Sequence, residues 1–248
     1  MIDLVILCTA AFLAGGLNAI AGGGSFLTFP ALVFLNVPII AANATSAVAV
    51  FPGYASSALG FLSELRSFDR RLLIRLVGLS VVGGVSGSLL LLVTPASVFN
   101  WIVPWLLLFA TILFLLGGRI NSWIVKQGKA QSNGWISTLI VSIYGGYFNG
   151  GLGIVLLALF SVQGMRDLNL MNGLKNILSF VLSAASVVTF TLAGIVYWYE
   201  AGVMMVAATV GGFVGARLAR RMPVSMVKAI VVVVGLVMTA VFFVRSIA

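Results

Sequence analysis

The chain has no histidine, one cysteine and only five acidic residues in 248 positions. Without histidine, a His-dependent catalytic triad, a haem histidine and a His metal cluster are excluded. Cys8 alone can form neither an internal disulfide nor a cysteine-based zinc site, so no cofactor is expected. Charged residues make up 8% of the chain, against roughly 25% in a soluble domain. A surface so short of charge excludes an ordinary soluble enzyme, a disordered protein and a secreted disulfide scaffold. The N-terminus, Met1-Ile2-Asp3, lacks the basic segment of a signal peptide, so the first apolar run is expected to stay in the fold.

What the chain does have is apolar surface: 61% hydrophobic residues and a mean hydropathy of +1.20. Glycine, at 28 residues, is above the soluble average of roughly 7%, as close-packed transmembrane helices require. The composition predicts an all-α polytopic membrane protein with the lipid bilayer as its partner. The net charge of +9 would suggest nucleic acid in a soluble protein. Here Lys and Arg fall in short loops between apolar runs, which is the positive-inside pattern, and no nucleic acid is expected.

A bilayer core of about 30 Å takes roughly 20 apolar residues per helix. Apolar runs are read at 4–20, 25–36, 38–62, 72–93, 98–117, 135–149, 154–164, 168–198, 201–219 and 224–244. Two of them, 25–36 and 154–164, are short, and each follows a glycine cluster: Gly22-Gly23-Gly24 and Gly150-Gly151-Leu152-Gly153. Ala14-Gly15-Gly16 aligns with Tyr144-Gly145-Gly146 at an offset of 130, which also brings Gly23 onto Gly153. Val82-Gly83-Gly84-Val85-Ser86-Gly87 aligns with Val210-Gly211-Gly212-Phe213-Val214-Gly215 at an offset of 128, and Pro95 then falls on Pro223. The chain is therefore expected to hold two repeats of about five apolar helical segments each, with short or re-entrant helices interrupted by glycine.

Charge gives the orientation. Between the third and fourth segments the first half carries Glu64, Arg66, Asp69, Arg70 and Arg71, and the second half only Glu200. Between the fourth and fifth, 94–97 is uncharged, whereas the counterpart carries Arg217, Arg220 and Arg221. Lys and Arg prefer the cytoplasmic side, so the repeats are expected to be inverted. The domains are 1–120, a cytoplasmic connector at 121–132 and 133–248. Both termini then lie outside the cytoplasmic membrane; Arg245 alone runs against this bias.

Inverted repeats with short, glycine-broken segments in matching places point to a secondary transporter whose substrate site lies where the broken helices meet. A half-helix N-terminus presents N–H groups and partial positive charge to an anion. Gly23, Gly24 and Ser25 are candidates for one such terminus, and Gly151 and Gly153 with Asn149 for the other. Close helix packing is the plainer reading of any one of these glycines. In the third segments, Asn172, Asn176, Ser179, Ser183 and Ser186 share one helix face, as do Asn43, Ser46, Ala47, Val50, Gly53 and Ser57. These stripes either bond to neighbouring helices or line a path. Lys175 lies about 10 Å into its helix, where a charge is a functional candidate unless it snorkels to the surface. Its repeat mate is Thr45. Asp3, Glu64, Asp69, Asp167 and Glu200 all sit near segment ends, so the lining of amides, hydroxyls, glycine N–H groups and one lysine suits an anion.

Gly15 to Ser25 followed by Pro30, Asn43-Ala44-Thr45-Ser46-Ala47, and Gly146-Tyr147-Phe148-Asn149-Gly150-Gly151-Leu152-Gly153 resemble the signatures of the sulfite exporter TauE/SafE family of membrane transporters. The resemblance covers nearly the whole chain. It implies export or exchange of small sulfur-containing anions: sulfite, sulfoacetate and other organosulfonates. Where the family's second copy of the Thr-Ser motif often reads Gly-Thr-Ser, this chain departs with Leu174-Lys175-Asn176. An inside-negative potential drives an anion outward by about 2.3 kcal/mol per charge per 100 mV, so export requires no coupling ion; proton coupling, carried by the titration of sulfite itself, stands as an alternative. The expected function is an alternating-access carrier for such anions. A carrier of a cation or neutral solute on the same architecture, and a membrane-embedded enzyme or assembly factor, stand as alternatives.

Overall fold

A computed structural model of the chain describes residues 2–21, 23–59, 61–127, 134–219 and 224–247. Met1, Gly22, Arg220, Arg221 and Pro223 lie outside them, as does 128–132 of the expected connector. The described elements are all helices: α1 (Ile2–Ala21), α2 (Ser25–Phe34), α3 (Ile39–Leu59), α4 (Leu62–Arg66), α5 (Arg70–Val93), α6 (Ala96–Gln127), α7 (Gly134–Tyr147), α8 (Leu152–Val162), α9 (Leu168–Leu192), α10 (Trp198–Ala219) and α11 (Val224–Ile247).

Local chemistry sets the ends. Asp69 caps α5 by accepting from the Arg71 and Leu72 N–H groups at 2.7 and 3.4 Å. Asp167 caps α9 in the same way through Asn169 and Leu170 at 2.9 and 3.3 Å, so two of the five acids are spent on helix starts. The short helices stop alike. Asn36 (φ 62) and Gly164 (φ 86) take the left-handed conformation, and the next N–H reaches back: Val37 to the Leu32 carbonyl at 3.1 Å, Met165 to that of Phe160 at 3.0 Å. Gly194 (φ 69) closes α9 at Leu192, six residues before the expected end. Helix α6 instead runs on past Gly117 to Gln127, where no proline stops it.

Among the described residues four helices are long and apolar enough to cross a membrane: Ile39–Leu59, Arg70–Val93, Ala96–Leu113 and Asn169–Leu192. Helices α10 and α11 measure 22 and 24 residues, or about 33 and 36 Å at 1.5 Å per residue. The chain is a multi-pass membrane protein, and its exposed Trp101, Trp105, Phe109 and Trp135 suit contact with lipid.

The short helices turn back on their predecessors. Gly24 sits on the Ala14 carbonyl, and the far ends of α1 and α2 meet where Val5 and Ile6 share a groove with Val33 and Phe34. Likewise the Gln163 amide at the end of α8 donates to the Gly134 carbonyl at the start of α7, at 3.2 Å. Both pairs are therefore helical hairpins, with tips at residues 23–24 and 148–151.

Packing partners exchange between the halves. α1 packs on α10, and α7 on α5; α3 packs on α10, and α9 on α5; α2 packs on α11, and α8 on α6. α3 and α9 cross at a stacked Phe51–Phe180 pair, 4.8 Å between ring centroids. The G-G-x-x-G stretches make the tightest approaches. A side chain at Gly211 would strike the Phe12 backbone, one at Gly15 the Ala208 carbonyl, one at Gly83 Ser142, and one at Gly87 the Ile143 carbonyl. Small residues thus let backbones touch where lipid offers no hydrophobic drive for association.

Candidate functional site

The two hairpin tips meet inside the bundle. Phe26 of α2 lies over Gly151, and Phe29 meets Phe148 edge-on with centroids 5.7 Å apart. Glycine is needed at both tips for different reasons. Gly151 has φ 70 ahead of α8, a conformation costly to L side chains. Gly24 is ordinary right-handed backbone (φ −58), but a Cβ there would come within 2.7 Å of the Ala14 oxygen.

Between the tips stands Tyr54 of α3, 2% exposed. Its hydroxyl donates to Asn149 Oδ1 at 3.3 Å, and Asn18 and Ser25 lie beside the same hydroxyl. Asn18 Oδ1, Ser25 Oγ and Asn149 Nδ2 are buried without a hydrogen-bond partner. Three orphaned polar groups on two hairpins around one phenol form an uncommon arrangement, because buried polar atoms are nearly always paired. A small ligand with several acceptor oxygens could satisfy the Ser25 hydroxyl and the free Asn149 Nδ2, and Asn18 by turning its N–H₂ inward. Tyr144 holds the second tip in shape, donating to the Gly150 carbonyl at 2.6 Å.

The expected site residues fall into three places. Gly23, Gly24, Ser25, Asn149 and Gly151 are at the tips, with Gly153 in the first turn of α8. Asn43, Thr45 and Ser46 are buried on the first turns of α3, and their polar groups tie helices together. Asn43 Nδ2 donates to the Tyr147 carbonyl at 3.0 Å, Thr45 Oγ1 accepts from the Tyr197 N–H at 3.0 Å, and the Ser46 and Thr28 hydroxyls share a 2.6 Å bond. Asn172, Lys175 and Asn176 lie on α9, where Phe61, just before α4, and Leu65 of α4 cover Gly173. Lys175 is 2% exposed, so it is buried in protein and does not snorkel to the surface. Among the described residues no ion pair or hydrogen bond is made by its ammonium.

Two residues of the tip cluster, Asn18 and Tyr54, were not among the candidates. Asn18 lies inside the Gly15–Ser25 signature, and a polar residue between glycines was the available signal. Tyr54 gave none, since its partners are distant in sequence.

Residues 7–242 match the family model described as Sulfite exporter TauE/SafE. The chain is 27% identical over 239 residues to a "probable membrane transporter protein" of Haemophilus influenzae, covering 96% of this chain and 93% of that one. It is 28% identical over 250 residues to YfcA of Escherichia coli K12, similarly named, covering 96% and 88%. A Sinorhizobium protein, also so named, is 26% identical over 94% of this chain and 89% of its own length. No solved structure matches the chain.

Proposed function

The chain belongs to the sulfite exporter TauE/SafE family, and on that premise we propose that it exports small sulfur-containing anions, sulfite, sulfoacetate or related organosulfonates, across the cytoplasmic membrane by alternating access. The observation that carries the anionic cargo is the sign of the buried charge. All five acidic residues are exposed or half-buried, whereas Lys175 is buried and, among the described residues, has no counter-ion. An unpaired buried ammonium is costly, and an anionic cargo would offset that cost each time it passed.

In this reading 1–120 and 133–248 are inverted repeats joined by a cytoplasmic connector, with both termini outside. The exchange of packing partners between the halves supports it, as does the matched pair of hairpins. The tips, with Gly23, Gly24, Ser25, Asn149, Gly151 and Gly153, supply hydroxyl, amide and backbone donors at the substrate site. Asn43, Thr45 and Ser46 hold the α3 wall in place beside it. Asn172, Lys175 and Asn176 line the approach from the α9 side.

Anion-dependent thermal stabilisation of the purified protein tests the proposal. A ligand at 100 times its Kd stabilises by about 2.7 kcal/mol. Sulfite or sulfoacetate should raise the Tm at matched ionic strength, where chloride should not. Stabilisation by a cation or neutral solute instead, with no sulfur anion effective, would overturn the reading in favour of a different cargo.

A further inference from the structure

Hydroxyls in these helices ordinarily bond back to a carbonyl one turn earlier. Ser88, Thr111, Ser161 and Thr239 each do so at 2.7–2.9 Å. Among the described residues, four serines deep in the helices make no such bond and pair with nothing else. Ser80 on α5, Ser142 on α7, and Ser179 and Ser183 on α9 are at most 1% exposed, and their Oγ atoms have no partner. The three helices pack on one another.

Their register brings the four together. Gly84 of α5 lies against Leu182 and Ala185 of α9, and the Ser186 hydroxyl donates to the Gly84 carbonyl at 3.4 Å. α5 and α9 run in the same direction, both starting beside α4. Ser80, one turn before Gly84, therefore stands level with Ser179 and Ser183. Ser142 enters from α7, its Cβ against Gly83. Lys175 is one turn before Ser179 on the same face of α9, about 6 Å along the axis. The aligned positions in the other half are Ala208, Phe12, Ala49 and Gly53, so this polar seam occurs once.

We propose that the α5–α7–α9 seam is a second anion-binding station, in which these serine hydroxyls and the Lys175 ammonium receive a small oxyanion before it reaches the hairpin tips. Four hydroxyl donors with a buried cation one turn away along α9 match an anion with several acceptor oxygens, a sulfite or sulfonate group among them. The station rests on the carrier reading for the identity of its cargo, and on the geometry for its charge and place.

Single cysteines at Ser142, Ser179 and Ser183 in a Cys8→Ala background test it, with the protein in nanodiscs open on both sides. Each thiol is treated with an anionic sulfonatoethyl and a cationic trimethylammonium-ethyl methanethiosulfonate, and rates are normalised to those with a free thiol. The expected result is at least a tenfold preference for the anionic reagent, abolished by Lys175→Met. Sulfoacetate should slow the labelling. Failure of all three thiols to react, or equal normalised rates for the two reagents, would overturn the station. A charge preference without protection by sulfoacetate supports the station and counts against the sulfur-anion cargo instead.

Discussion

Where α1 meets α10, Gly211 lies on the Phe12 backbone and Gly15 on the Ala208 carbonyl; where α5 meets α7, Gly83 lies on Ser142 and Gly87 on the Ile143 carbonyl. The aligned glycine stretches thus do the same mechanical task twice. Around them the side chains differ. Ala49 and Ala208 belong to the larger apolar core, whereas the aligned Ser179 and Ser80 carry unpaired hydroxyls. The difference teaches that the same backbone contact tolerates either lining, so packing alone does not require the polar one.

The comparison can be broken most severely at the shared element. Gly211→Val and Gly87→Val should each destabilise by about 3 kcal/mol, because the new side chain meets a backbone atom that cannot swing away. Loss of the monodisperse peak in size-exclusion chromatography and a fall in Tm are expected for both. Lys175→Met should separate function from stability. Transport of a sulfur anion should drop about tenfold or more, while the Tm holds or rises because an unpaired buried charge is gone.

Smaller changes sharpen the contrast between the seams. Ala49→Ser and Ala208→Ser place hydroxyls in the apolar seam, and each should cost about 1–3 kcal/mol, read as a lower Tm that no anion restores. Ser80→Ala should have the smallest effect on the unliganded protein, within about 1 kcal/mol. Its signature is a reduced Tm shift on adding sulfoacetate.

Much of this architecture was legible in the chain. The apolar runs, the two short segments and their glycine breaks all correspond to observed helices and tips, because hydropathy and glycine placement are local properties. The hairpin closure was not, since it depends on Gln163 meeting Gly134 across the pair. Helix α4 was missed because five residues leave little periodicity to read. The stripe on α3 was visible, but its Asn43 and Ser46 turn out to be engaged with Tyr147 and Thr28. Ser80 and Ser142 look like any transmembrane serine in sequence. Only the packing separates them from Ser88 or Ser161, which find a carbonyl on their own helix.

Counterflow of labelled sulfoacetate in proteoliposomes tests the central claim, a sulfur-anion carrier charged by one buried lysine, most directly. The prediction is saturable uptake that unlabelled sulfite competes away, chloride leaves unchanged and Lys175→Met abolishes. Uptake at the level of empty liposomes, or kinetics unaltered by Lys175→Met in a correctly folded protein, would contradict it.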